Sequence, residues 1–180
     1  MGVSIHFRGS INSTEKTNPL LNELSEISNE MGWEYSVIDD AELQLKGIFI
    51  QPHNKSESLS LLINASGKLT NPLYLVDKDD DRIDYSYNSI KTQFAPVDIH
   101  ITVVKLLKYI KKKYISDLEV TDEGSYWETG DADLLAEKID FINDRINSIA
   151  GMISSIPNSG KETPESLADK IERYLKDKFD

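Results

Sequence analysis

The chain has 180 residues, no cysteine and a formal net charge of −11, with both halves acidic. That length suits one ordinary domain burying roughly 70% of its unfolded surface. Disulfides, thiolate nucleophiles and cysteine zinc sites are excluded, and so large a negative charge disfavours nucleic acid and anionic membranes. With neither an apolar leader nor a stretch of 18 apolar residues, a cytoplasmic protein off the membrane is expected.

Val3, Ile5 and Phe7 alternate with Ser4, His6 and Arg8, which predicts a two-faced first strand. Asn18-Pro19 reads as an N-cap and first helical position, followed by Leu20, Leu24, Ile27 and Met31 at helical spacing. Gly32 is placed to end that helix in the left-handed conformation. Trp33, Tyr35 and Val37 then alternate as a second strand, and Leu45–Gln51 and Ser58–Asn64 read as two more. A further hairpin, Leu73–Val76 with Ile83–Tyr87, is expected around the acidic turn Asp77–Asp81. That turn places acids at calcium-loop positions 1, 3 and 5. The pattern fails at Arg82, where glycine is required, and at Asn88, where a bidentate glutamate is required.

The longest early helix begins near Pro96. Ile99, Val103, Leu106, Leu107, Ile110 and Tyr114 share one face, with Lys105, Lys108 and Lys112 opposite. Lys111–Lys113 complement its C-terminal dipole, and the lysines read as a solvated face. His100, at the edge of the apolar stripe, reads as a hydrogen-bonded core histidine. Leu118–Thr121 follows as a strand. Asp131 and Asp133 then open a helix whose Leu135, Ile139, Ile142, Ile146, Ile149 and Ile153 form a short heptad-like seam. This helix, Leu135–Ile153, suits packing on its own domain and, as a second option, pairing in a homodimer. Ser154–Lys161 reads as a loop and Thr163-Pro164 as the start of a last helix.

The order predicts an α+β fold, mostly antiparallel, with helices on one sheet face. It is a ferredoxin-like βαββαβ core with extra strands and two C-terminal helices. Residues 1–153 form the domain, and 154–180 are a loop and helix docked on it.

Two functional readings follow. Between Asp117 and Asp133 lie seven acids and no base, around Tyr126-Trp127. Asp122, Glu123, Tyr126, Trp127 and Glu128 are therefore candidates for binding a basic protein, since aromatic anchors ringed by carboxylates suit such a partner. Small acidic proteins that neutralise a basic target, such as toxin-immunity proteins, share this size and charge. The alternative is a metal-dependent hydrolase on the open sheet face. His6, Arg8, His53 and Glu57 would gather there, completed by Asp122, Glu123 or Glu128. No spacing enforces that set, there is no HExxH pair, and no metal or other cofactor is assigned. The interaction module is the preferred class.

Overall fold

A computed structural model describes residues 2–77 and 82–155, the last four by backbone alone. The fold is α+β, with its strands in two antiparallel sheets. The first sheet is built around β1, Ser4–Arg8, flanked on both sides by strands from much later in the chain. These are β6, Asn88–Lys91, and β7, Glu119–Asp122. They are joined by α2, Val97–Lys113, so the β6–α2–β7 crossover straddles β1. Val3, Ile5 and Phe7 are buried, as their alternation requires.

Helix α1 spans Thr17–Met31 and buries Leu20, Leu21, Leu24 and Ser28. A 3-10 turn, Thr14–Lys16, runs straight into it. Asn18 is therefore inside the helix instead of capping it, and Pro19 sits in the first turn, where no amide partner is needed. Gly32 ends the helix at φ 67°, as expected. Its N–H donates to Asn29 O, and Trp33 N donates to Ser28 O at 2.8 Å, satisfying two of the last carbonyls.

The second sheet is a meander of β2, Glu34–Asp40, β3, Leu45–Gln51, β4, Leu59–Ile63, and β5, Leu69–Thr70. Leu59, Leu61 and Ile63 of β4 join Ile5, Phe7 and Ile90 in one core, to which α1 and α2 also contribute. On β3, a Cβ added to Gly47 would stand 2.5 Å from Leu61 O and 2.7 Å from Leu62 Cα. Only glycine permits the β4 backbone to come so close.

The expected Leu73–Val76 and Ile83–Tyr87 hairpin is not formed. Pro72–Leu75 is a 3-10 turn, opened by Asn71 accepting from Leu73 N at 3.0 Å. The strand in this region is β6 instead. Its apolar pattern is only Ile90, and it is recruited by pairing with β1. Lys78–Asp81 of the acidic turn lie outside the described residues. Of the loop expected over Ser154–Lys161, Ser154 and Ser155 are still helical, and the rest of it and the helix expected after it lie outside the described residues. Pro96 is the N-cap of α2 and not its first helical residue.

One carboxylate ties α1 to the end of α2. Glu23 accepts from Tyr109 Oη and Tyr114 Oη, each at 2.6 Å, and from Lys113 Nζ at 2.7 and 2.9 Å. The Lys113 contact first, then the two tyrosines, lowers the Glu23 pKa from 4.5 to about 2. A depressed carboxylate stabilises fully above its unfolded value, and loses that contribution as pH falls from about 4.5 to about 2. Glu23→Gln should cost about 1 kcal/mol at neutral pH, discounted because the cluster is partly solvated. Urea titrations between pH 2 and 7 should show a correspondingly flatter acid limb in the variant.

After β7 come a single-turn helix, α3, Tyr126–Thr129, and a long one, α4, Ala132–Ser155. Asp131 caps α4 by accepting from Asp133 N and Leu134 N. The chain divides into two compact units, Met1–Ile139 and Asp140–Asp180, so the division falls inside α4. Leu135 and Ile139 of the heptad seam are buried in the first unit, while Ile146 in the second is exposed. Within that second unit the Arg145 guanidinium lies over the Phe141 ring at 4.9 Å. Among the described residues no helix is long and apolar enough to cross a membrane.

Candidate functional site

The acidic and aromatic stretch proves to be the end of β7, a tight turn and α3. Asp122 pairs with Ile5 in register, which turns its side chain to the core face. There it meets His100 of α2: Nε2 lies 3.0 Å from Asp122 Oδ1, at an angle too oblique for a directed hydrogen bond. On the far side of the ring, Nδ1 is 2.7 Å from Thr92 Oγ1. Thr92 and His100 have no exposure and Asp122 only 6%.

This hydroxyl–imidazole–carboxylate row has the connectivity of a hydrolytic triad, and the sequence reading did not assemble it. Its members come from three separate elements. A hydroxyl with no exposure cannot meet a substrate, so the row fastens the core. Asp122 also accepts from Gly124 N at 2.7 Å and from Trp127 N at 2.9 Å. Burial raises the Asp122 pKa, but His100 and the two amides together outweigh it, and the net shift is downward.

Those amide bonds set the aromatic residues. Gly124 packs so tightly that a Cβ there would lie 2.5 Å from Leu135 Cδ1 and 3.0 Å from His100 Nε2. Ser125 takes φ 62°, unusual for a non-glycine, and its Oγ accepts from Lys138 Nζ at 2.6 Å. Tyr126 and Trp127 are half-buried against the core, with Lys108 Nζ 5.4 Å from the Trp127 ring centroid. Glu128, Asp131 and Asp133 are exposed beside them. Glu123 leaves the group: its Oε2 accepts from Ser4 N at 2.8 Å.

On the opposite face of the first sheet, His6 and Arg8 do share a side, as expected. Arg8 is held by Glu119, with Nη2 2.5 Å from Oε2. His6 stacks on Tyr87 with ring centroids 5.3 Å apart, and Nε2 is 3.8 Å from Glu123 Oε1. Glu57 accepts from Lys91 N at 2.8 Å and lines a groove of about 440 Å³ with Ser58, Ser60, Asn71, Tyr87 and Ser89. His53 is used by its own turn, where Nδ1 accepts from Lys55 N at 3.1 Å. Among the described residues no three His, Asp or Glu side chains converge as a metal set would.

Several carboxylates of the first unit grip backbone amides. Asp117 accepts from Ser10 N and Asp40 from Glu42 N and Leu43 N, as Glu57, Asp122 and Glu123 do elsewhere. Sequence alone could not assign this use, because each partner amide is set by the turn or pairing around it. No protein-family model matches the chain, and no curated protein or solved structure matches it significantly.

Proposed function

We propose that the protein is a non-catalytic interaction module that holds a basic protein partner at its Trp127 edge. The observation that supports this most is the fixing of α3. Asp122, buried and shared with His100, anchors the Trp127 amide, so a half-exposed aromatic ring stands preorganised beside Glu128, Asp131 and Asp133. Rigid aromatic anchors lose little entropy on binding, and neighbouring acids favour a cationic surface. The split β6–α2–β7 unit is read here as a ferredoxin-like plan, with β2–β5 as its elaboration.

Affinity capture from cells of the source organism, followed by titration of the retained protein, tests the reading. Trp127→Ala should weaken binding of a basic partner by tenfold or more, about 1.4 kcal/mol, with circular dichroism unchanged. Equal retention by wild type and variant refutes the Trp127 edge.

The alternative, a metal-dependent hydrolase on the open face, draws on His6 and Arg8 sharing that face beside the Glu57–Tyr87 groove. Stoichiometric metal in purified protein, lost on His6→Ala, would favour it.

A further inference from the structure

The row of core-facing side chains on β3 continues onto β2 and there runs out into solvent. Register sets Tyr35 opposite Ile50 and Val37 opposite Ile48, so all four share a face. Ile48 and Ile50 are fully buried, whereas Tyr35 is 37% and Val37 51% exposed. Helix α1 reaches Tyr35 through Asn29, whose Nδ2 donates to Tyr35 Oη at 3.2 Å, but leaves both side chains partly uncovered, and its last residue, Met31, is itself 51% exposed. β2 is the terminal strand of its sheet. Among the described residues, the ladder hydrogen bonds of Glu34–Asp40 run only to β3. Alternate N–H and C=O groups of such a strand face outward with no partner.

Charge decides what can occupy that edge. From Glu30 to Leu45 there are five acids and no base. Asp39 is offset by Lys46 at 3.0 Å and Asp40 holds two amides, but Glu30, Glu34 and Glu42 stand exposed. A second copy of β2 added antiparallel about Val37 sets Glu34 against Asp40, and a one-residue slip sets it against Asp39. Parallel addition in register sets every acid beside its twin. Like charges directly opposite are destabilising, so self-pairing is disfavoured. An extended segment carrying lysine or arginine reverses the sign of each of these contacts.

We infer that the free edge of β2 takes up a basic, extended segment of another protein by strand addition. The partner's backbone continues the ladder, its apolar side chains cover Tyr35 and Val37, and its cations meet Glu34 and neighbouring carboxylates. This surface is separate from the Trp127 edge and stands or falls independently of it.

The test uses the full chain, isotope-labelled, and a blocked eight-residue peptide alternating lysine with valine and threonine. Alternate amides within Glu34–Asp40 should gain about tenfold or more protection from hydrogen exchange on peptide addition. Raised salt should weaken binding. Val37→Lys, at an exposed position, should abolish it, while Trp127→Ala should leave it unchanged. The same peptide N-methylated at alternate residues should bind at least about tenfold more weakly, because it cannot form the ladder. Several results overturn the inference: no binding, protection outside β2, equal binding of the N-methylated peptide, or equal binding of a glutamate-for-lysine peptide. A β2-mediated dimer in sedimentation, lost on Val37→Lys, does so as well.

Discussion

Replacing His100 with leucine should destabilise the fold by about 3–5 kcal/mol, because it leaves the buried Asp122 carboxylate without its partner. Chemical denaturation at neutral pH measures this directly. The pH dependence carries the sharper information. In the native protein the Asp122 pKa lies below its ordinary 3.8, so its contribution is full above that value and lost as pH falls through the folded pKa. Without His100, burial is opposed by the Gly124 and Trp127 amides alone, so that pKa moves upward. The variant's deficit should then narrow on acidification and widen as pH rises. Adding Asp122→Asn removes the stranded charge while keeping an acceptor for one of the two amides, Gly124 N at Oδ1 or Trp127 N at Oδ2. The double variant should recover about 1–2 kcal/mol relative to His100→Leu alone. A double variant no more stable than His100→Leu would mean that lost packing, and not charge, accounts for the effect.

The second large effect belongs to Gly47. Its missing Cβ lets β3 and β4 approach until backbone atoms of Leu61 and Leu62 fill the place of a side chain. The obstacles are main-chain atoms, which cannot rotate aside. Gly47→Val should therefore cost about 3 kcal/mol, at the top of the usual range for overpacking. Thermal unfolding should record a fall of about 6–12 °C for a chain of this size. A Tm within about 1 °C of wild type would mean that the two strands slide apart with little loss.

Much of the architecture was legible where periodicity and punctuation agreed. Leu20, Leu24 and Gly32 define α1, and Val103, Leu107 and Ile110 give the buried face of α2. Gly47 also carried a signal, since glycine inside a strand pattern points to close backbone approach. Asn71-Pro72 likewise announced a capped turn, where the apolar run Leu73–Val76 was read as a strand. Other features depended on distant partners. Asp122 looked like a loop carboxylate because nothing local shows that β7 turns it towards His100 on α2. Tyr35 and Val37 have the alternation of a core-facing strand, and they do lie on that face. Their exposure goes with the place of β2 at the edge of its sheet, which no pattern within β2 records. β6 has one apolar residue, Ile90, facing the core and exists through its pairing with β1.

The central place of β1 also bears on how the chain is made. Ile5 lies between Ile90 and Asp122, so β1, once synthesised, waits for the last strand of its sheet. At about 5–20 residues per second, that delay is about 6–24 s, during which Ile5 and Phe7 lack the part of their core that α2 supplies. The β2–β5 meander needs only neighbours close in sequence and can assemble in the interval. Completion of the first sheet is then expected to be the slow event, with an exposed nascent strand that chaperones would recognise.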